Sequence, residues 1–253
     1  MASRADDALA PAATGGRDAP ELPALLRLRG ALRAALSDFY FNSLRLVAAN
    51  IVWSSVLAGV YLVFLVWPGG AIMLSPILAL PTAGIYSLSS RIVRGEPASV
   101  SDALEAWPKF GARAIGFGAA VVALALVLSV NIVVGFAEGG FVGWAIATLA
   151  FWGLAAGSTV ALVAWPLLVD PARPDRPLRE GLRLAAYLVL AFPARFGAMT
   201  LLLGAILVAS TVAFAALVTI SVSFSALVSA RYVLPASDRF EAQMQVRARA
   251  RPT

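Results

Sequence analysis

Asn50, Trp53, Thr82, Tyr86 and Asn131 stand inside long apolar runs, yet each carries a group able to donate or accept a hydrogen bond. In an apolar setting that chemistry serves either bonding between helices or contact with a small solute, and bonding between helices is the simpler reading. Pro76 and Pro81 lie in the same run as Thr82 and Tyr86. Each proline removes a backbone donor and kinks a helix, freeing carbonyls that Thr82, nearby serines, water or a solute must meet. Broken helices of this kind line the binding sites of transporters, and proline kinks also occur in ordinary membrane helices. Asn50, Trp53, Pro76, Pro81, Thr82, Tyr86 and Asn131 are therefore candidates to line a cavity or to join helices.

Little else in the chain suits a catalyst. There is no Cys and no His, which removes disulfides, thiolate nucleophiles, imidazole bases and the usual soft-metal ligands. No nucleotide-binding glycine pattern is present: Gly116-Phe117-Gly118 runs on into Ala119-Ala120-Val121 inside an apolar run. The expectation is a protein that is not an enzyme and holds no cofactor and no metal. No ionisable residue lies deep in an apolar run, so a proton relay lacks its carriers. Acids near the runs, such as Glu96, Asp102 and Asp170, read as surface groups.

Helices must position these residues. Hydrophobic residues make up 60% of the 253, charged ones 13%, and the mean hydropathy is +0.83, far too apolar for a water-soluble domain. Six runs, about 45–67, 71–92, 113–136, 141–169, 195–214 and 217–234, suit a hydrocarbon layer about 30 Å thick. The last two form one stretch from Phe196 to Ala230, roughly 50 Å long as a single helix. A hairpin near Phe214 to Val218 resolves that excess. The fold class expected is all-α: a polytopic membrane bundle of six transmembrane helices with cytoplasmic amphipathic interfacial helices. This domain covers residues 21–240, with a disordered tail expected over 1–20 and a basic tail over 241–253. The first run starts too far from Met1 for a cleavable signal, which predicts an uncleaved anchor.

The 20 Lys and Arg residues fall in alternate gaps between the runs. Six lie in the segment through Arg45, four from Arg91 to Arg113, five from Arg173 to Arg195 and five in the tail from Arg231. The gaps around Pro68-Gly69-Gly70, Glu138-Gly139-Gly140 and Ala215-Ala216 carry none. Basic loops remain cytoplasmic, which puts both termini in the cytoplasm. Nineteen of the twenty are Arg and Ala is abundant, as in a GC-rich bacterial genome, so the membrane expected is the bacterial inner membrane. Spread over four segments without interleaved aromatics, these charges do not describe a nucleic-acid surface.

Leu25, Leu28, Leu32, Leu36 and Phe39 recur at helical spacing beside Arg29 and Arg33, four residues apart, which predicts a helix lying in the membrane interface. Arg176, Arg179 and Arg183, with Leu178, Leu182, Ala185 and Val189 on another face, predict a second. Ser101 to Phe110 predicts a third, with Ser101 as N-cap. Arg29, Arg33, Arg91, Arg94, Arg179 and Arg183 are the candidates for contact with membrane lipid headgroups or a partner, the alternative being solvated connectors packed on their own bundle. Gly153 and Gly157 form a G-x-x-x-G that lets another helix approach, either from the same chain or from a second copy in a homo-oligomer. An internal repeat is suggested by Trp107-Pro108-Lys109-Phe110-Gly111-Ala112 and Phe192-Pro193-Ala194-Arg195-Phe196-Gly197-Ala198, each leading into a run. Ser90-Arg91-Ile92-Val93 with Pro97 and Ala230-Arg231-Tyr232-Val233 with Pro235 extend the likeness. Three units of interfacial helix plus hairpin produce such matches, and so does chance in a biased composition.

Asn50-Ile51-Val52-Trp53, Leu80-Pro81-Thr82-Ala83-Gly84-Ile85-Tyr86 and Arg91-Ile92-Val93-Arg94-Gly95-Glu96 resemble the YesL-like family of small bacterial membrane proteins, a domain family of unknown function. The likeness spans roughly residues 25 to 240 and is sharpest in the first third; Gly84 and Ile85 depart from the family's usual Ala-Leu. Members are often encoded beside carbohydrate uptake systems of the ABC type. The resemblance implies an accessory role in such uptake, with permease subunits of an ABC transporter as partners, and it carries no catalytic residues. The alternatives are a stand-alone pore or facilitator for a small solute, or a structural, lipid-interacting protein.

Overall fold

The computed structural model describes residues 27–249, and among them it is built of helices and turns without a strand. The tail expected over 1–20, and Leu25 of the first amphipathic segment, lie outside the described residues. Helix α1 (Leu28–Val66) is a single 39-residue element bent at Asn42, where φ is −116° and ψ is 17°. The side chain of Asn42 fills the bend: its Nδ2 donates to Asp38 O (3.0 Å) and its Oδ1 accepts from Arg45 Nη1 (3.1 Å). An amphipathic arm thus leads directly into the first span.

The second span is broken into α2 (Pro68–Leu74), a 3₁₀ turn (Ser75–Leu78) and α3 (Ala79–Arg94). Pro76 has no N–H to offer Ile72 O. Ser75 Oγ donates to that carbonyl instead, at 2.7 Å. Pro81 falls in the first turn of α3, where a missing N–H costs least. At the other end Gly95 adopts φ 72°, its N–H bonds Ile92 O (3.1 Å), and Glu96 N–H bonds Arg91 O (3.0 Å). This is the geometry that ends a helix on a left-handed residue, so the stretch from Arg91 to Glu96 is a stop signal.

Helix α4 (Val100–Glu138) begins one residue after Ser99, which caps it reciprocally: Asp102 N–H donates to Ser99 Oγ, and Ser99 N–H donates to Asp102 Oδ2 at 2.7 Å. The expected N-cap at Ser101 is corrected to Ser99, because only the Ser-x-x-Asp spacing pairs both donors. The third interfacial helix is also not separate, since α4 runs through Pro108 into the third span. A turn at Gly139 and Gly140, with φ of 66° and 65°, leads into α5 (Gly140–Leu168). Beside it Gly135 and Gly143 touch so closely that a Cβ on either would lie 2.5–2.6 Å from the other's carbonyl oxygen.

Helix α6 (Leu178–Ala191) starts after Pro177, leaving Arg176 outside the amphipathic helix it was expected to join. Helix α7 (Pro193–Val212) follows, and the chain reverses at Ala213 (φ −95°, ψ 71°), just before the expected Phe214 to Val218. A short α8 (Phe214–Ala216) and a π-helical turn (Leu217–Ser221) then enter α9 (Val222–Arg249). Because α9 continues through Pro235 to Arg249, the segment expected as a basic tail from 241 is helical as far as it is described. The suggested repeat does not extend to local structure. Pro108 lies within a continuous helix while Pro193 opens one, and the Arg91 segment ends a helix while the Arg231 segment continues one.

Among the described residues six helical segments are long and apolar enough to cross a membrane. The protein is an all-α, multi-pass membrane bundle. Its centre is formed by the second and sixth spans, which are far more buried than the first and third. Small residues make that possible: α3 contributes Ala83, Gly84, Ser87, Ser89 and Ser90 and α9 contributes Ser223, Ala226, Ser229 and Ala230, all buried.

Candidate functional site

Two polar layers sit in this bundle, one at mid-depth and one at the arginine-rich end. The mid-depth layer starts at Asn50, which is fully buried. Its Nδ2 donates to Val218 O in the π-helical turn (2.6 Å), and its Oδ1 accepts from the backbone N–H of Ser223 (2.9 Å). Ser54 Oγ donates to the same Val218 carbonyl (3.2 Å), and Ser223 Oγ donates to Leu46 O (2.8 Å). A π-helical turn leaves carbonyls out of the ordinary ladder. Asn50 and Ser54 occupy one of them and thereby clasp span one to span six.

Trp53 faces the other way and meets span two. Its Nε1–H donates to Thr82 Oγ1 (3.0 Å), and Thr82 passes the chain on by donating to Leu78 O (2.6 Å). Tyr86, one turn deeper, stacks on Trp165 with ring centres 5.8 Å apart, and Phe117 meets the same indole edge-on at 5.0 Å. Five of the seven sequence candidates are thus joined around α3: Trp53, Thr82 and Tyr86 by their side chains, Pro81 by its place in the first turn, and Asn50 through the neighbouring clasp. Pro76 lies at the 3₁₀ turn above them. Asn131 stands apart, exposed on α4 and bonded to its own helix at Val127 O (2.8 Å).

The space among these residues is small. The cavity bounded by Ala49, Pro81, Gly84, Ala103 and Trp107 measures about 10 Å³, about the room one water needs. Larger grooves of about 300 and 440 Å³ flank span one at Leu57 and Tyr61, with nearly all-apolar linings. Gly153 and Gly157 also look inward within the chain: a Cβ on them would meet Leu128 at 3.5 Å and Leu124 at 3.0 Å on α4.

At the arginine-rich end the ends of spans two, four and six are tied together. Arg94 grips Asp170 with two nitrogens, Nε to Oδ1 at 2.8 Å and Nη2 to Oδ2 at 2.5 Å, and reaches Asp238 with Nη1 at 2.9 Å. Arg173 pairs with Asp238 (3.1 Å) and with Glu241, which also accepts from Arg176 (2.5 Å). Arg113 donates to the carbonyls of Pro174 (2.8 Å) and Arg176 (3.0 Å). Asp170, read from sequence as a surface acid, is completely buried, because the bidentate Arg94 and the Ala172 N–H (3.1 Å) supply the bonds that water would otherwise give. Arg91 pairs with Asp102 (3.3 Å). Arg91 and Arg94, expected at lipid or a partner, therefore serve the bundle itself, whereas Arg29, Arg33, Arg179 and Arg183 remain exposed.

The chain matches no family model, no curated protein and no solved structure. The three motifs Asn50 to Trp53, Leu80 to Tyr86 and Arg91 to Glu96 each have a structural place. In the fold those motifs are the clasp and the tryptophan bond (Asn50, Trp53), the first turns of α3 (Pro81, Thr82), and the helix stop that sets Arg94 (Arg91 to Glu96). Sequence reasoning missed the acids of the lower cluster and the serines of α9. The signal for the first was three acids just past runs four and six, Asp170, Asp238 and Glu241; for the second it was the series Ser221, Ser223, Ser225 and Ser229.

Proposed function

We propose that this protein works by binding another membrane protein, as an accessory component of an ABC-type carbohydrate uptake system, and not by conducting a solute or by catalysis. The observation that carries this reading is the interior: the polar groups of Asn50, Trp53 and Thr82 are spent on bonds within the bundle, and the cavity at Pro81 has about 10 Å³. A facilitator needs a continuous wet path, and its polar lining has to be available to the solute. The resemblance to the YesL-like family supplies the class of partner, a permease subunit met within the membrane or at the arginine-rich end. The arginine distribution supports a bacterial inner membrane with both termini cytoplasmic.

Affinity capture from native membranes, at native expression and in mild detergent, tests the reading. Permease subunits of a carbohydrate transporter are expected among the captured proteins, and their loss from the transporter's own assembly on deletion of this chain. Capture without any transport component, or solute flux through the purified protein in liposomes, would overturn it.

A further inference from the structure

The ion pairs sort the basic residues into two groups that the sequence does not distinguish. Arg91, Arg94, Arg173, Arg176 and Arg231 each face an acid of this chain. The arm at the start of α1 is different. Among the described residues the side chains of Arg27, Arg29 and Arg33 have no acid, hydrogen-bond or ring partner, and that of Arg45 has Asn42 alone. The arm's own acid, Asp38, is turned inward to Arg231 at 2.5 Å. Phe39 packs edge-on against Phe224 at 5.8 Å and Ala35 is buried, so one face of the arm is fixed on the bundle.

The other face combines those exposed arginines with large apolar side chains. Tyr40 is 77% and Phe41 79% exposed, and Leu36 and Leu44 are exposed with them. Cationic groups beside exposed aromatics, at the mouth of a membrane span, match the boundary where anionic headgroups meet acyl chains. An acidic soluble protein would satisfy the charge and leave Phe41 and Leu44 in water. We propose that residues 27–45 form a binding surface for anionic phospholipid headgroups, with Arg29, Arg33 and Arg45 taking the phosphates and Tyr40 and Phe41 entering the acyl boundary. Helix α6 is the weaker candidate, because Arg183 is engaged by Tyr187 at 3.0 Å and Glu180 lies exposed among its arginines.

Native mass spectrometry of the detergent-purified full chain, given equal amounts of phosphatidylglycerol and phosphatidylcholine, reads the preference directly. The wild type is expected to favour phosphatidylglycerol by more than about fivefold, the factor that one basic residue near an anionic surface contributes. R29Q/R33Q/R45Q is expected to fall to parity, R29K/R33K/R45K to keep the preference, and R179Q/R183Q to keep it too. If the triple Gln variant melts early, the single R33Q carries the test with a drop of about fivefold. Equal preference in the wild type and the Gln variants, or a preference lost in R179Q/R183Q, would overturn the proposal.

Discussion

Asp170 and Asp238 share Arg94, and their surroundings predict opposite outcomes when each is removed. Asp170 is fully buried and its carboxylate is satisfied by Arg94 and the Ala172 N–H. Removing it leaves part of a guanidinium desolvated and unmatched, which costs about 3–5 kcal/mol when a buried pair is broken. Asp238 is more than a third exposed, and its loss leaves Arg94 on Asp170 and Arg173 on Glu241. Water and salt screen such a group, and the expected cost is at most about 1 kcal/mol. Thermal unfolding in detergent is expected to show Asp170→Ala lowered far more than Asp238→Ala; equal effects would mean that the lower cluster does not depend on the bidentate pair.

Helices α3 and α4 meet through a glycine, and the contact is sharp enough to test. A Cβ on Gly84 would lie 2.6 Å from Ala103 O and 3.2 Å from Trp107 Nε1, so Gly84→Ala must push the helices apart at a cost of about 1–3 kcal/mol. Gly59 on α1 has open space around its Cβ position. There the same substitution is expected to be neutral or stabilising by up to about 1 kcal/mol, since Ala is the better helix former. Melting temperatures of the two variants check the contrast, and a Gly84→Ala protein as stable as the wild type would refute the contact. This contact also marks where the sequence stops being legible. Six apolar runs and the alternation of arginines give the helices and their common end, because length and charge bias act on whole segments. Which face of each helix turns inward is a matter of single residues such as Gly84, and periodicity is blurred where both lipid and core are apolar. The length of the last apolar stretch called for a hairpin near Phe214 to Val218, and the reversal falls at Ala213, which no Gly or Pro announces. Asn50, Trp53 and Thr82 were legible as polar exceptions, but their partners, a π-helical carbonyl and a threonine 29 residues away, were not. Asp170 was misread because a lone acid beside a basic segment looks solvated until Arg94 arrives from 76 residues away.

For the molecule as a whole, the ion pairs gather the start of span one and the ends of spans two, four and six at one face, through Asp38 with Arg231 and Arg94 with Asp170 and Asp238. Among the described residues the opposite face has only the turns at Trp67, at Gly139 and Gly140, and at Ala213, none of them basic. A bilayer with a negative inside potential and anionic inner leaflet favours one insertion of so uneven an object, arginine-rich face to the cytoplasm. The absence of cysteine from the chain allows a direct test with single reporters. Glu138, exposed at the basic-free turn, and Gln245, exposed on the far end of α9, are suitable sites. Glu138→Cys is expected to react with a membrane-impermeant maleimide in intact spheroplasts, and Gln245→Cys only after permeabilisation. The reverse pattern would invert the topology and move the arginine arm, with its lipid surface, to the outer leaflet. Labelling of both sites from outside would contradict the three crossings, spans four to six, that separate them.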